Sequence, residues 1–200
     1  MDKQIIISIG REYGSGGHEV GRKLAEKLGV EFFDRNLLDE VANIKQVDTN
    51  DLAKYDEAPK KLFFSRTVRG YSNSPEQNVA EMQFALLKSK AADDDSFVIV
   101  GRCSDEIFAG MAKCVSIFIW GERDEKIKRI IDHLHISEKE AVKKMERHDK
   151  KRRAYHDYYC KKKWGQTTSY DLCVNSSVLG IDGTVDFLYD YIQRIKTTQN

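Results

Sequence analysis

The sequence predicts an α/β domain on a mainly parallel sheet, and three observations predict it. Residues Gln4–Ile9 (QIIISI) are β-branched and almost continuously apolar, as in a strand buried on both faces. A glycine-rich turn, Gly14-Ser15-Gly16-Gly17, follows at once, and Val20, Leu24 and Leu28 then recur at helical spacing until Gly29, a residue suited to a helix C-terminus. Beyond this unit, short apolar runs alternate with helix-like segments along the chain, an order that lays strands in parallel with helices on both faces.

The remaining elements follow in turn. Glu31-Phe32-Phe33 reads as a short second strand, and Leu37, Leu38 and Val41 begin a helix behind Asp34. From about residue 48 to 74 the pattern weakens around Pro59, which suggests a mobile insertion. Ser74-Pro75-Glu76-Gln77 then opens a helix running to about Lys90: the hydroxyl caps, Pro occupies the first helical position and Gln77 is spaced to reach back to the cap amide. Phe97–Val100 and Cys114–Ile119 are strands, with a helix over Asp105–Met111 between them. Helices are expected from Glu122 to about His133 and, behind the capping box Ser137-Glu138-Lys139-Glu140, through a charged stretch. Asp171–Val174 is the last strand, followed by a helix whose Val185, Leu188, Tyr189 and Ile192 share a face.

With 200 residues, 40% of them hydrophobic, the chain suits one core, and its net charge of +1 excludes a uniformly basic nucleic-acid binder. Cys103, Cys114, Cys160 and Cys173 form no C-x-x-C pair, and His133 and His135 do not share a helix face, so neither set suggests a metal. Reduced cysteines, the absence of a leader-like start and the lack of ~20 consecutive apolar residues point to a cytoplasmic protein with no membrane span.

A glycine turn between a buried strand and a helix suits phosphate, because backbone N–H groups converge there and the helix start carries partial positive charge. The residues in that position are Gly14, Ser15, Gly16, Gly17 and His18. The pattern G-x-x-x-x-G-K-[ST] is nevertheless not met. With Gly16 as its second glycine, Arg11 stands at the first, Gly17 at the Lys and His18 at the Ser/Thr. Arg11, one turn before the glycines, is the candidate cation in place of the Lys; its alternative is an exposed loop charge.

The block Ser8-Ile9-Gly10-Arg11-Glu12-Tyr13-Gly14-Ser15-Gly16-Gly17 resembles the opening of the cytidylate kinase-like proteins. The resemblance continues through Phe33-Asp34-Arg35, Val98-Ile99-Val100-Gly101-Arg102, Arg152-Arg153 with Tyr158-Tyr159 and Trp164, and Tyr170–Ser176. It implies a P-loop-type three-layer core (residues 1–47, 96–135 and 170–196), a helical monophosphate-binding insertion (about 48–95) and a basic lid (about 136–169) in one domain. It also implies ATP and Mg²⁺ as cofactors, nucleotides as substrates, and CMP or dCMP as leading acceptor. Arg102 is similar to an arginine that holds the monophosphate, although Cys103 stands where authentic cytidylate kinases carry Asp. Asp34 and Arg35 fall on the substrate side. Asp34 is placed to orient a ribose, a Mg²⁺-bound water or Arg102, or to cap the next helix.

Between Lys143 and Lys163, ten Lys/Arg face three Asp/Glu. Such a run is a solvated helix, a nucleic-acid patch with interleaved aromatic residues, or a lid that closes on phosphate. The resemblance favours the lid, with Arg152 and Arg153 neutralising the transferring group, and makes nucleic acid the less favoured partner. A catalytically weak or inactive nucleotide-binding module is the alternative to a kinase, because the Lys and Ser/Thr are missing.

Overall fold

The computed structural model describes residues 4–34, 36–46, 48–58, 67–68, 71–72, 74–111 and 113–198. Arg35 and Pro59 lie outside them. The strand Ile6–Arg11 (β1), the helix Gly17–Leu28 (α1) and the strand Glu31–Phe33 (β2) come in the predicted order. Gly29 ends α1 at φ 68°, its N–H turned back onto the carbonyls of Ala25 and Glu26.

Asn36–Lys45 (α2) and Thr49–Ala53 (α3) lead to a two-residue hairpin, Thr67–Val68 (β3) with Tyr71–Ser72 (β4). Pro75–Ala92 (α4) has the predicted start: Ser74 caps the Gln77 amide and Pro75 sits in the first turn. Gln77 does not reach back, however; its side-chain amide donates to Glu81 at 2.7 Å.

Phe97–Val100 (β5), Ser104–Ile107 (α5), Cys114–Trp120 (β6), Arg123–Leu134 (α6), Glu138–Tyr159 (α7), Leu172–Asn175 (β7) and Ser176–Thr198 (α8) complete the fold. Both halves of the Ser137/Glu140 capping box form at the start of α7. The helix expected over 105–111 is only one turn long. It stops before Phe108, and Gly110 at φ 79° turns the chain into β6.

The five-stranded sheet has the order β2-β5-β1-β6-β7 and every pairing in it is parallel. Alternation along the inner strands divides the core into two layers. Ile5, Ile7, Ile9, Val98 and Val100 pack under Val20 and Leu24 of α1 and Val185, Leu188 and Ile192 of α8. Ile6, Phe97 and Ile99 face Leu37 of α2, Leu87 of α4 and Phe108. Because β1 is central, the turn that follows it emerges mid-sheet, where open parallel sheets bind their ligands.

Candidate functional site

The carboxyl ends of β1, β2 and β5 deliver Arg11, Asp34 and Arg102 to one edge of the sheet, and α7 crosses above them. Between these elements lies a cleft of about 680 Å³ lined by the glycine turn, Arg11, Asp34, Arg102 and Arg152. Four of the five predicted phosphate-binding positions, Gly14, Gly16, Gly17 and His18, line it. Gly14 and Gly16 adopt φ 83° and 75°, conformations open to glycine at little cost. Ser15 turns inward: its hydroxyl donates to the Glu12 carbonyl at 2.9 Å and accepts from the Gly17 N–H at 3.3 Å. Ser176 Oγ, at the start of α8, lies 2.6 Å from the Ser15 carbonyl and 3.0 Å from that of Trp120, which anchors the turn to the last helix. His18, largely exposed, pairs with Asp34 at 2.8 Å.

At the other end of the cleft, Arg102 is 1% exposed and three carboxylates surround it. Its Nη2 donates to Asp56 at 3.0 Å; Nη1 lies 3.3 Å from Glu57 and 3.9 Å from Asp34. Arg11 shares the same partner, with its Nη1 3.0 Å and Nη2 3.4 Å from the two Glu57 oxygens. The Nε donors of both arginines are buried without a partner among the described residues. Gly101, Arg102 and Cys103 lie in succession at φ 82°, 60° and 53°, and the last two bear side chains. Left-handed residues of that kind cost about 1 kcal/mol or more each and persist where the surroundings impose them. Gly101 has a spatial reason: a Cβ there would strike Glu57 Oε1 and Arg11 Nη1.

Arg152 descends from α7 to the Arg11 carbonyl, 3.5 Å away, with its guanidinium 5.6 Å above the Tyr13 ring. Tyr13 is held by the same helix elsewhere as well: its ring stacks on His148 at 4.3 Å, and its N–H donates to Asp149 at 2.7 Å. Burial, reinforced by the Arg11 charge, lowers Arg152 to about 10. Glu57, Asp149, which lies 4.0 Å away, and Asp34 offset this only in part, so a further anion in the cleft would be favoured. Arg153, one position on, points away; its guanidinium lies 5.4 Å over the Trp164 ring, outside the cleft.

Several residues here were not found in the sequence. Asp56 and Glu57 lie in the stretch without periodicity, and no spacing marks them as arginine partners. Lys151 Nζ donates to the Asp56 carbonyl at 3.0 Å, fastening that stretch to α7. Arg129 of α6 donates to the Gly14 carbonyl at 3.3 Å and lines the cleft, a second cation beside the glycine turn. The inward face of α7 runs through Met145, Asp149, Arg152 and His156.

The acidic segment gives the site a pH signature. Burial pushes the Glu57 carboxyl up, but the charges of Arg11, Arg102 and Arg152 outweigh it and hold Glu57 well below its ordinary value of 4.5. A depressed folded-state value stabilises the fold fully above the ordinary value, and the contribution is lost as pH falls through the depressed one. Glu57→Gln is therefore expected to lower stability at pH 7 and to flatten its decline below about pH 4.5, measured by urea unfolding across that range. An acid limb identical to the wild type would dissociate Glu57 from the arginines.

A sequence profile of the cytidylate kinase-like family matches residues 6–178. The crystal structure of an uncharacterized protein from Eubacterium ventriosum ATCC 27560 is 36% identical, covering 95% of this chain and 99% of its own, with a TM-score of 0.76. Shikimate kinases from Bacteroides thetaiotaomicron and Aquifex aeolicus vf5 are 15% identical, with TM-scores of 0.55 and 0.54; the alignments cover 94% of this chain and 98% and 96% of theirs. That likeness is one of fold. No curated protein matches the sequence. No helix among the described residues is long and apolar enough to cross a membrane. With its profile match, its all-parallel sheet and a glycine turn at the sheet's centre, the chain belongs to the cytidylate kinase-like family and has a nucleotide-binding kinase-type fold.

Proposed function

We propose that the protein is an ATP-dependent phosphotransferase acting on a nucleoside monophosphate, with CMP or dCMP as the leading acceptor. The observation that carries this reading is the meeting of Arg11, Arg102 and Arg152 in one cleft with the glycine turn. Phosphoryl transfer asks mainly for positioning and charge neutralisation, and this arrangement has the parts for both. Backbone N–H groups of residues 14–18 would hold donor phosphates, with Arg129 and Arg11 beside them in place of the absent Lys. Arg102 would grip the acceptor phosphate with its planar fork, and Arg152 would meet charge developing on the transferred group.

Asp34, which lines the cleft with the glycine turn, is an oxygen donor that could hold Mg²⁺ through water. Burial raises its carboxyl, but the His18 hydrogen bond and the Arg11 and Arg102 charges prevail and keep it ionised. Bound there, Mg²⁺ would neutralise charge on the phosphates. Residues 48–95 would serve as the acceptor-side insertion and 136–169 as the lid, within one domain in the cytoplasm. Asp56 and Glu57 occupy the arginines that a substrate dianion needs, so acceptor binding would replace one set of anions with another.

That same occupancy favours a second reading, a nucleotide-binding module without turnover in which the acidic segment never leaves. Incubation with Mg-ATP or Mg-GTP and a panel of nucleoside monophosphates, with shikimate as a further acceptor, separates the two. The kinase reading expects conversion of at least one monophosphate to its diphosphate, and a fall in kcat in Arg152→Ala. Nucleotide binding with no conversion of any acceptor would establish the module instead.

A further inference from the structure

On the far side of Arg102 from the cleft, four side chains of metal-binding type meet in the interior. Cys103 precedes the single turn α5 and Asp105 lies within it; His156 and Cys160 are one turn apart at the end of α7. All four are at least nine-tenths buried. Asp105 Oδ2 is 2.8 Å from His156 Nε2, and the ligand atoms of Asp105, His156 and Cys160 all lie within 4.8 Å of one another. Cys103 packs against Cys160 in the cluster that also holds Ala80 and Tyr155.

We propose that Asp105, His156, Cys160 and Cys103 form a binding site for a Zn²⁺-type dication. Tetrahedral coordination, with arms of about 2.0 Å to N and O and about 2.3 Å to S, sets neighbouring ligand atoms roughly 3.3–3.8 Å apart. Asp105, His156 and Cys160 are already near that size; the Asp105–His156 contact needs to open by only about half an ångström to admit the ion, and Cys103, which packs beside Cys160, would swing in as the fourth ligand. A hydrogen-bonded Asp–His pair would account for two of these groups. It leaves unexplained why two thiols converge on it. Thiolate and imidazole select Zn²⁺ over Mg²⁺, so this site is chemically separate from any cation on the phosphates. Binding releases the two thiol protons to solvent and leaves the cysteines as thiolates, and the proton that His156 Nε2 shares with Asp105 leaves that nitrogen so that its lone pair is free to coordinate.

The placement says what the ion does. Cys103 directly follows Arg102, and His156 is one helical turn beyond Arg152. An ion shared by the two segments clamps the left-handed turn that aims Arg102 to the helix that carries Arg152. It is a structural site, with four protein ligands and no open position.

The test uses the full chain, freed of metal with a chelator and titrated with Co²⁺ under reducing conditions without oxygen. The expected result is one Co²⁺ per chain, with the thiolate charge-transfer and visible bands of a tetrahedral site, bleached by Zn²⁺. Cys160→Ser should lose those bands and Cys173→Ser should keep them. Should Cys160→Ser fail to fold, alkylation of the wild type decides: Zn²⁺ should slow the reaction of Cys103 and Cys160 and leave Cys114 and Cys173 unchanged. Cobalt spectra without thiolate bands, equal uptake by Cys160→Ser, or protection of other cysteines would overturn the assignment. So would a chain in which peroxide closes Cys103 and Cys160 to a disulfide but which takes up no cobalt.

Discussion

Arg102→Ala is expected to abolish phosphoryl transfer and to cost about 3–5 kcal/mol of stability, the range for removing one member of a buried ion cluster. Arg102 is the most deeply buried charge in the molecule's described part, and Asp34, Asp56 and Glu57 all lie within 4 Å of it. Without it, Glu57 keeps Arg11, but Asp56, 7% exposed, loses its 3.0 Å guanidinium partner and is left with weaker donors such as the Gln83 amide at 3.3 Å. Urea unfolding reads the stability and the acceptor assay reads the activity. Because this variant loses both, Arg102→Lys is the informative companion. A lysine retains the charge but not the planar fork, so stability should recover further than acceptor affinity. If Arg102→Ala unfolds at the wild-type denaturant concentration, the carboxylates are solvated and the cluster is not a buried one.

Gly17→Val should reduce ATP affinity by more than about tenfold, equivalent to at least 1.4 kcal/mol of binding, and lower stability by about 1–3 kcal/mol through overpacking. The obvious reason would be that a side chain fills the space a phosphate needs. The geometry gives another. A Cβ on Gly17 points into the body of the protein, 2.6 Å from Arg11 Cβ and 3.4 Å from Ile119 Cβ. The substitution would therefore displace the stem of Arg11 and lift the start of α1, moving a cation and the turn together. Gly16 differs, since a Cβ there meets the ends of the Ile181 and Arg129 side chains, which can move, although its φ of 75° adds strain. Isothermal titration with ATP, alongside urea unfolding, checks the prediction. Unchanged affinity in Gly17→Val would remove the glycine turn from nucleotide binding.

Both arguments use residues that the sequence marked and partners that it did not. The strand Ile6–Arg11, the turn after it and α1 are legible because their information is local: a β-branched run, glycines and a 3.6-residue period, each acting within a few positions. The same holds for the capped starts of α4 and α7. The α5 region shows the limit of that reasoning. Apolar residues from Ile107 to Met111 read as helix, but Phe108 is drawn into the core against Phe97, and the chain turns at Gly110. Arg152 and Arg153 make the same point: adjacent in sequence and equal in charge, they are separated by the helical rotation of about 100° per residue, which sends one into the cleft and the other to Trp164.

By itself the sequence determined the α/β class, the phosphate-type turn, the candidate arginines and the resemblance that the family match supports. These follow from composition, periodicity and short motifs, which depend on neighbours along the chain. Only the tertiary structure decided the strand order, the closure of Asp56 and Glu57 over Arg11 and Arg102, and the meeting of Cys103 and Asp105 with His156 and Cys160. The Arg11–Glu57, Arg102–Asp56 and Asp105–His156 contacts join residues 46 to 51 positions apart. Charge pairing and metal coordination act through space at a few ångströms, whatever the separation in sequence. A segment without periodicity can therefore hold the groups that matter most to the site.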